Sequence, residues 1–282
     1  MPLLFPLDAD AILQRFRPSF EPVIECHQFS RTVLDPASIT VVNWNIAKNN
    51  HQTEWLAEAG AIAQRYDPDL FFFQEVRIVP HDQPPIPFDG LGWHFAPNLF
   101  DAHNRHAFGV LTAAKVRHLD YQQVHTRHYE PVFNTPKVAL ITEYPLVISR
   151  QTLLAINVHG LNFVRTQQFQ AQLHQLEERV THHPGPLILS GDFNTWNRRR
   201  MTVLQSVVHR LGLTQVSFPR EQHQRLKRFL FSDPLDHIFY RGLEVRSGSA
   251  RVLHQLESSD HVPMVVEFRA LKHSHPSKRR MG

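Results

Sequence analysis

The segment Leu187-Ile188-Leu189-Ser190-Gly191-Asp192-Phe193-Asn194 constrains this chain more than any other. Its apolar run reads as a buried strand that stops at a glycine and then presents two polar side chains. Asp192 and Asn194 are two residues apart, so in near-extended backbone they face the same way. Gly191 permits a tight exit and leaves room for a ligand. An acid and an amide at a strand's carboxyl end can hold a water and a phosphate oxygen. The same Gly-Asp-x-Asn pattern also occurs in ordinary turns, so its meaning depends on what else converges on it.

Other segments end in the same manner. The β-branched run Ile39–Asn45 closes with Asn43 and Asn45 on one face. Asp69–Glu75 is apolar until its final carboxylate, and Glu75 is costly to bury unless it is paired or binds a cation; in water past the strand end it needs neither. Leu153–Val158 delivers His159 ahead of Gly160, at an edge rather than in a core. Pro234–Tyr240 carries Asp236, and the turn Ser258–Pro263 carries Asp260 and His261 ahead of a final strand Met264–Phe268. Further strand-like pieces fall at Trp93–Ala96, Ala107–Thr112, Val116–Leu119, Lys137–Tyr144 and Leu243–Leu253. Helical spacing is clear over Thr53–Tyr66 and Thr166–His182, and again from Thr195 onward. Ligands of α/β sheets bind outside strand termini. Carboxylates gathered there repel one another unless a cation or proton is present. Oxygen donors without a cysteine pair favour a hard cation, Mg²⁺ or Mn²⁺.

Composition adds bounds. The 282 residues suit one large α/β or β-rich domain, or two small ones. Residues 1–38 read as a proline-punctuated N-terminal extension, packed on or trailing from the domain, with a short helix around Ala9–Phe16. Residues 39–269 read as the domain, and 270–282 as a basic disordered tail. The single Cys26 excludes an internal disulfide and favours a reducing, cytoplasmic setting. No signal peptide or membrane-spanning run is expected. A net charge of +4 is compatible with a polyanionic partner. Arg198–Arg200 oppose the dipole of the helix they open, which calls for nearby anions or else marks a solvated basic face. The stretch 217–234 is also basic and is expected near the site. Lys48 reads as a phosphate contact or as a plain surface lysine.

The motifs Trp44-Asn45, Gln74-Glu75, Asn157-x-His159, Gly191-Asp192-Phe193-Asn194, Asp236-His237-Ile238 and Ser259-Asp260-His261-x-Pro263 occur in one order. That order resembles the endonuclease/exonuclease/phosphatase superfamily, of which deoxyribonuclease I is a member. Trp-Asn-Ile-x-Lys, His-x-x-Asn-Phe and Trp-x-Arg-Arg-Arg-Met are similar to a bacterial branch, the YafD-like proteins. The resemblance implies a four-layer α/β sandwich: two mixed β-sheets face to face, helices outside, and the site at one rim. It implies Glu75 as the main Mg²⁺ (or Mn²⁺) ligand with Asn45 beside it, and Asp260 as a further metal-side acid. Asp192 is implied to orient or deprotonate the attacking water. Asn194 and His159 are implied to contact phosphate, and Asp236 with His261 to form an acid–imidazole pair. His261 is then a general base or a phosphate clamp. Lys48, Arg198 and Arg199 are carried as substrate-binding candidates. Ala47 stands where the abasic endonucleases carry an acid or amide, and Asn157-Val158-His159-Gly160 replaces their Tyr-x-Pro-Asn. Both differences point away from abasic-site repair.

The expected function is therefore Mg²⁺-dependent phosphodiester hydrolysis, on DNA or RNA. The alternatives are the same chemistry on a phospholipid head group or small phosphoester, and a non-catalytic binding protein on this fold. The last predicts missing site residues, and none is missing.

Overall fold

A computed structural model describes residues 14–79, 86, 88–131, 133–147, 151–229 and 232–271. In chain order its elements begin with β1 (Phe16–Pro18), β2 (Ile24–Cys26), β3 (Ile39–Asn45), α1 (Thr53–Tyr66), β4 (Leu70–Ile78), β5 (Gly92–Asp101) and β6 (His106–Ala114). There follow β7 (Asp120–Glu130), β8 (Thr135–Pro145), β9 (Thr152–His159), α2 (Thr166–Val180), β10 (Leu187–Asp192) and α3 (Arg198–Arg210). The chain closes with β11 (Thr214–Gln215), α4 (Arg220–His223), β12 (Asp236–Arg241), β13 (Leu243–Val245), β14 (Arg251–Val252) and β15 (Met264–Ala270).

Strand side chains alternate between faces, and here both faces are apolar, so each sheet must be covered twice. The first sheet runs β1-β5-β6-β4-β3-β15-β13, with β2 on β5 and β14 on β15. The second runs β11-β12-β10-β9-β8-β7. Parallel pairs β3–β4 and β9–β10 sit among antiparallel neighbours, so both sheets are mixed. Val41, Phe72, Ala155, Ile188 and Ile238 meet between the sheets. Val42, Phe71 and Phe73 face the other way, onto Trp55, Ala59 and Ile62 of α1. Phe169 and Leu173 of α2, with Met201 and Leu204 of α3, cover Ile156, Leu187 and Phe239 of the second sheet. This is the expected four-layer α/β sandwich.

Several elements differ from expectation. Residues 16–18 and 24–26, inside the segment read as an extension, are strands paired with β5. Val116–Leu119 is not a strand; Val116 makes only an isolated bridge to Arg31. The second sheet is instead edged by β7, whose mostly polar, half-exposed sequence hides its strand period. The expected strand Leu243–Leu253 divides into β13 and β14 around a turn containing Gly248 at φ 71°. The helix expected around Ala9–Phe16 lies mostly outside the described residues, and Phe16 itself opens β1. Residues 80–85 and 87 of the proline-rich loop, and the tail from 272 on, also lie outside them.

Two glycines should respond in opposite ways to alanine. At Gly60, inside α1, an added Cβ would meet nothing within 4 Å, so Gly60→Ala should stabilise by about 0.5–1 kcal/mol. Gly191 holds φ 150°, and a Cβ there would fall 1.9 Å from the Val158 carbonyl oxygen. Gly191→Ala should cost about 3 kcal/mol or more. Urea denaturation midpoints of the two variants read both signs directly.

Candidate active site

The site is built where polar residues leave five strands, β3 and β4 of the first sheet and β9, β10 and β12 of the second. Asn45 is the last residue of β3. On β4 the register with β6 shifts between Phe73 and Val76, and Glu75 within the shift takes φ 54°. Strict alternation would turn Glu75 away from the inner face that Gln74 occupies; the bulge re-aims it into the cleft. In the second sheet, Asp192 of β10 stands in register with His159 of β9 and with Asp236 of β12. His261 arrives on a loop fastened to the end of β3. The Ser259 hydroxyl donates to the Asn45 carbonyl at 2.8 Å, and Trp44 Nε1 donates to the His261 carbonyl at 2.9 Å.

Asp192 is the centre. Its Oδ2 accepts from Asn45 Nδ2 at 2.9 Å, and its Oδ1 accepts from the Asn194 backbone N–H at 2.9 Å. His261 Nε2 lies 3.8 Å from Asp192 Oδ2, and His159 Nε2 lies 3.9 Å from it. Glu75 Oε1 is 3.8 Å from the same His159 nitrogen. His261 Nδ1 meets Asp236 Oδ2 at 2.7 Å. The Asn194 side chain, at φ 53°, donates to the Gly160 carbonyl at 2.9 Å. Lys48 bonds Glu75 directly. Most of these groups line a cleft of about 350 Å³, with Asp236 behind His261.

Burial and charge divide the titrating groups. Burial pushes the Glu75 carboxyl up, but the Lys48 and Lys137 charges outweigh it and hold it well below the usual range. Burial and nearby Lys137 push His159 well down, so its imidazole is neutral at neutrality. Burial raises Asp192 to about 6, against the pull of His261. Burial would lower His261, yet the Asp236 charge and hydrogen bond carry it up to about 9.

The structure brings together Asn45, Lys48, Glu75, His159, Asp192, Asn194, Asp236 and His261. It does not bring in Asp260. That carboxylate is 63 % exposed and bonded by Lys227, because its neighbour His261 is the one that turns inward. Arg198 and Arg199 stand exposed at the start of α3 and do not line the cleft. The helical turn carries only Arg200 inward, where its guanidinium lies 3.9 Å from the Phe169 ring centroid. The cleft also holds Lys227 and Phe229, from the basic stretch expected near the site, and groups that sequence reasoning passed over: the Glu130–Lys137 pair at 3.3 Å, and Phe163. Lys227 carried a signal, the basic stretch around it. Glu130 and Lys137 carried none, since they sit within ordinary strand sequence.

A divalent cation fits this donor set. Glu75 and the Asn45 amide oxygen are hard donors on adjacent strands, no sulfur is near, and Glu75 already attracts the Lys48 ammonium. Asp192, Asp236 and His261 also have ligand atoms within 4.8 Å of one another. There, however, the imidazole is hydrogen-bonded to Asp236 and held protonated, which suits a proton-bearing pair better than a metal cage.

Beneath the site runs a buried amide network. Gln74 Nε2 donates to Asn43 Oδ1 at 3.1 Å and across the sheets to Asn157 Oδ1 at 2.7 Å. Asn157 Nδ2 donates back to the Phe73 and Leu111 carbonyls at 3.1 and 2.9 Å. Replacing Asn157 by Leu strands those partners and should cost about 2–4 kcal/mol in chemical denaturation. The Asp236–His261 pair makes a second expectation. A histidine raised from 6.5 to about 9 contributes stability that is full below pH 6.5 and is lost as pH rises through about 9. Denaturation of the metal-free protein across pH 6 to 10 should show that decline, and Asp236→Asn should flatten it.

Comparison with known proteins agrees with this fold. A Klebsiella pneumoniae (strain 342) UPF0294 protein is 34% identical over 231 residues, covering 82% of each chain. The catalytic domain of human Nocturnin superposes with a TM-score of 0.59 at 20% identity, covering 85% of this chain and 97% of that one. ANGEL2, a 2',3'-cyclic phosphatase in complex with adenosine-2',3'-vanadate, superposes with a TM-score of 0.59 at 17% identity, covering 83% and 96%. The sequence profile of the Endonuclease/Exonuclease/phosphatase family matches residues 42–261, and the chain belongs to that family of phosphoric ester hydrolases.

Proposed function

We propose that this cleft hydrolyses phosphodiester bonds of a nucleic acid, with Mg²⁺ or Mn²⁺ as its cation. The supporting observation is the convergence of Glu75, His159, Asp192 and His261 from both sheets, with successive contacts of 3.8 to 3.9 Å. Glu75 and Asn45 would hold the cation. When bound it neutralises charge on the phosphate oxygens and stabilises the leaving oxygen. Asp192, raised to about 6, is ionised at neutrality yet basic enough to take a proton from water. His261, charged at neutrality, then acts as a clamp on a non-bridging oxygen rather than as the base. Asp236 fixes its ring. His159, kept neutral, offers a hydrogen bond without repelling the cation.

Nucleic acid is favoured over lipid by what rims the cleft. Lys48, Lys137 and Lys227 line it, and so do Phe163 and Phe229, 64% and 47% exposed. Cations that track a backbone, interleaved with rings that stack on bases, are how single strands are held. No helix among the described residues is long and apolar enough to cross a membrane. A cytoplasmic setting, suggested by the lone Cys26, belongs to the same reading.

The test is an activity screen over plasmid DNA, RNA, bis-p-nitrophenyl phosphate and phospholipid vesicles, with Mg²⁺, Mn²⁺ or EDTA. DNA or RNA should be cleaved only with the metal. Asp192→Asn and His261→Ala should each lower turnover by about 10²-fold or more while circular dichroism stays native. Turnover of phospholipid without nucleic acid would overturn the substrate, and full activity of His261→Ala would remove it from the chemistry.

A further inference from the structure

A second polar cluster lies apart from the cleft, on the first sheet. Glu25 of β2 stands directly opposite His94 of β5 in the strand register. His118, just ahead of β7, meets the His94 ring edge-on, with centroids 4.1 Å apart. The ligand atoms of Glu25, His94 and His118 all fall within 4.8 Å of one another. β5 reaches the catalytic cleft only at Asn98 and Leu99, about 13 Å further along the strand from His94.

His94 is the anomaly. It is fully buried, yet neither ring nitrogen makes a hydrogen bond among the described residues, and His118 Nδ1 is likewise unpaired. The nearest carboxylate oxygen, Glu25 Oε2, is 3.6 Å from His94 Nε2. Buried imidazole nitrogens ordinarily find a partner. Packing alone accounts for the ring contacts with Phe29 and Tyr121, but not for the carboxylate and second imidazole gathered around unpartnered ring nitrogens.

We propose that Glu25, His94 and His118 form a second metal site, for a transition-metal ion of the Zn²⁺ class. Two imidazoles and one carboxylate are a borderline donor set, which suits Zn²⁺ over Mg²⁺. Tetrahedral bonds of about 2.0–2.1 Å put neighbouring donors roughly 3.3 Å apart, so the His94–Glu25 spacing is close to that of a bound site. The fourth position falls to water: His27 Nε2 is 3.2 Å from Glu25 Oε2 but lies outside the group whose ligand atoms are mutually within 4.8 Å. His27 and His118 both border an open groove, which gives the ion a way in. The ion would tie β2 to β5 and to the lead-in of β7.

Calorimetric titration of the metal-free full chain with Zn²⁺ tests this, alongside the visible absorption of Co²⁺ as a probe of imidazole ligation. Glu75→Gln, which weakens the hydrolytic centre, should keep tight Zn²⁺ binding and the Co²⁺ band. His118→Ala, at a half-buried position, should weaken Zn²⁺ at least 100-fold, abolish the band and leave Mg²⁺-dependent hydrolysis unchanged. Glu25→Gln should do the same and stands in if His118→Ala does not fold. Wild-type affinity in either folded variant, loss of the band in Glu75→Gln instead, or no Zn²⁺ binding by the wild-type chain would overturn the site.

Discussion

The hydrolytic centre depends on two sheets being held in one register, and a buried amide network does this. Asn43, Gln74, Asn157 and Ser190 lie one or two residues before Asn45, Glu75, His159 and Asp192 on the same strands. Apolar contact between sheets is non-directional and tolerates sliding. Hydrogen bonds of 2.7 to 3.1 Å between Gln74, Asn157 and Asn43, and of 2.9 Å from Ser190 to Asn43, do not. A slip of one residue would leave buried amides unpaired and swap every outward side chain inward. The layer that locks the sheets is thus the layer on which the groups of the candidate site stand.

Above that layer, two histidines of one cleft are driven to different protonation states. His159 and His261 are both buried within 4 Å of Asp192. Burial alone would leave both neutral. Asp236 behind His261 reverses the balance there, whereas His159 faces the Lys137 and Lys48 charges. The cleft therefore offers one cationic donor and one neutral one. Asp192 between them lies near 6, close enough to neutrality to move a proton.

Much of this was legible in the sequence because the strands that carry function are short, apolar and abruptly polar at their ends. Leu187–Asp192 and Ile39–Asn45 announce both their burial and their cargo. What stayed hidden had physical reasons. β7 is an edge strand with polar residues on both faces, so its period of two is blurred. β1 and β2 are three residues each and acquire strand character only by pairing with β5. The fate of Asp260 turned on the path of its loop, which no spacing encodes: of two adjacent polar residues one faces the cleft, and it is His261. Arg198, Arg199 and Arg200 read alike as a basic run, yet the helical turn buries only the third. The Glu75 bulge is likewise silent, although the residue itself was evident.

Asn157 and His94 show how the same physics separates scaffold from site. Both are fully buried polar residues on strands of this sandwich. Asn157 has donors and acceptor matched by Gln74 and two backbone carbonyls, so its burial closes on itself and needs no ligand. His94 has two ring nitrogens, no hydrogen bond among the described residues, and a carboxylate with a second imidazole in front of it. An amide can satisfy a backbone from within a sheet because it carries donors and an acceptor on a flat, short arm. A neutral imidazole offers one N–H and one lone pair, and at His94 neither has a partner within hydrogen-bond distance, the Glu25 oxygen standing 3.6 Å away. A cation in that gap would bind the carboxylate and both imidazoles at once.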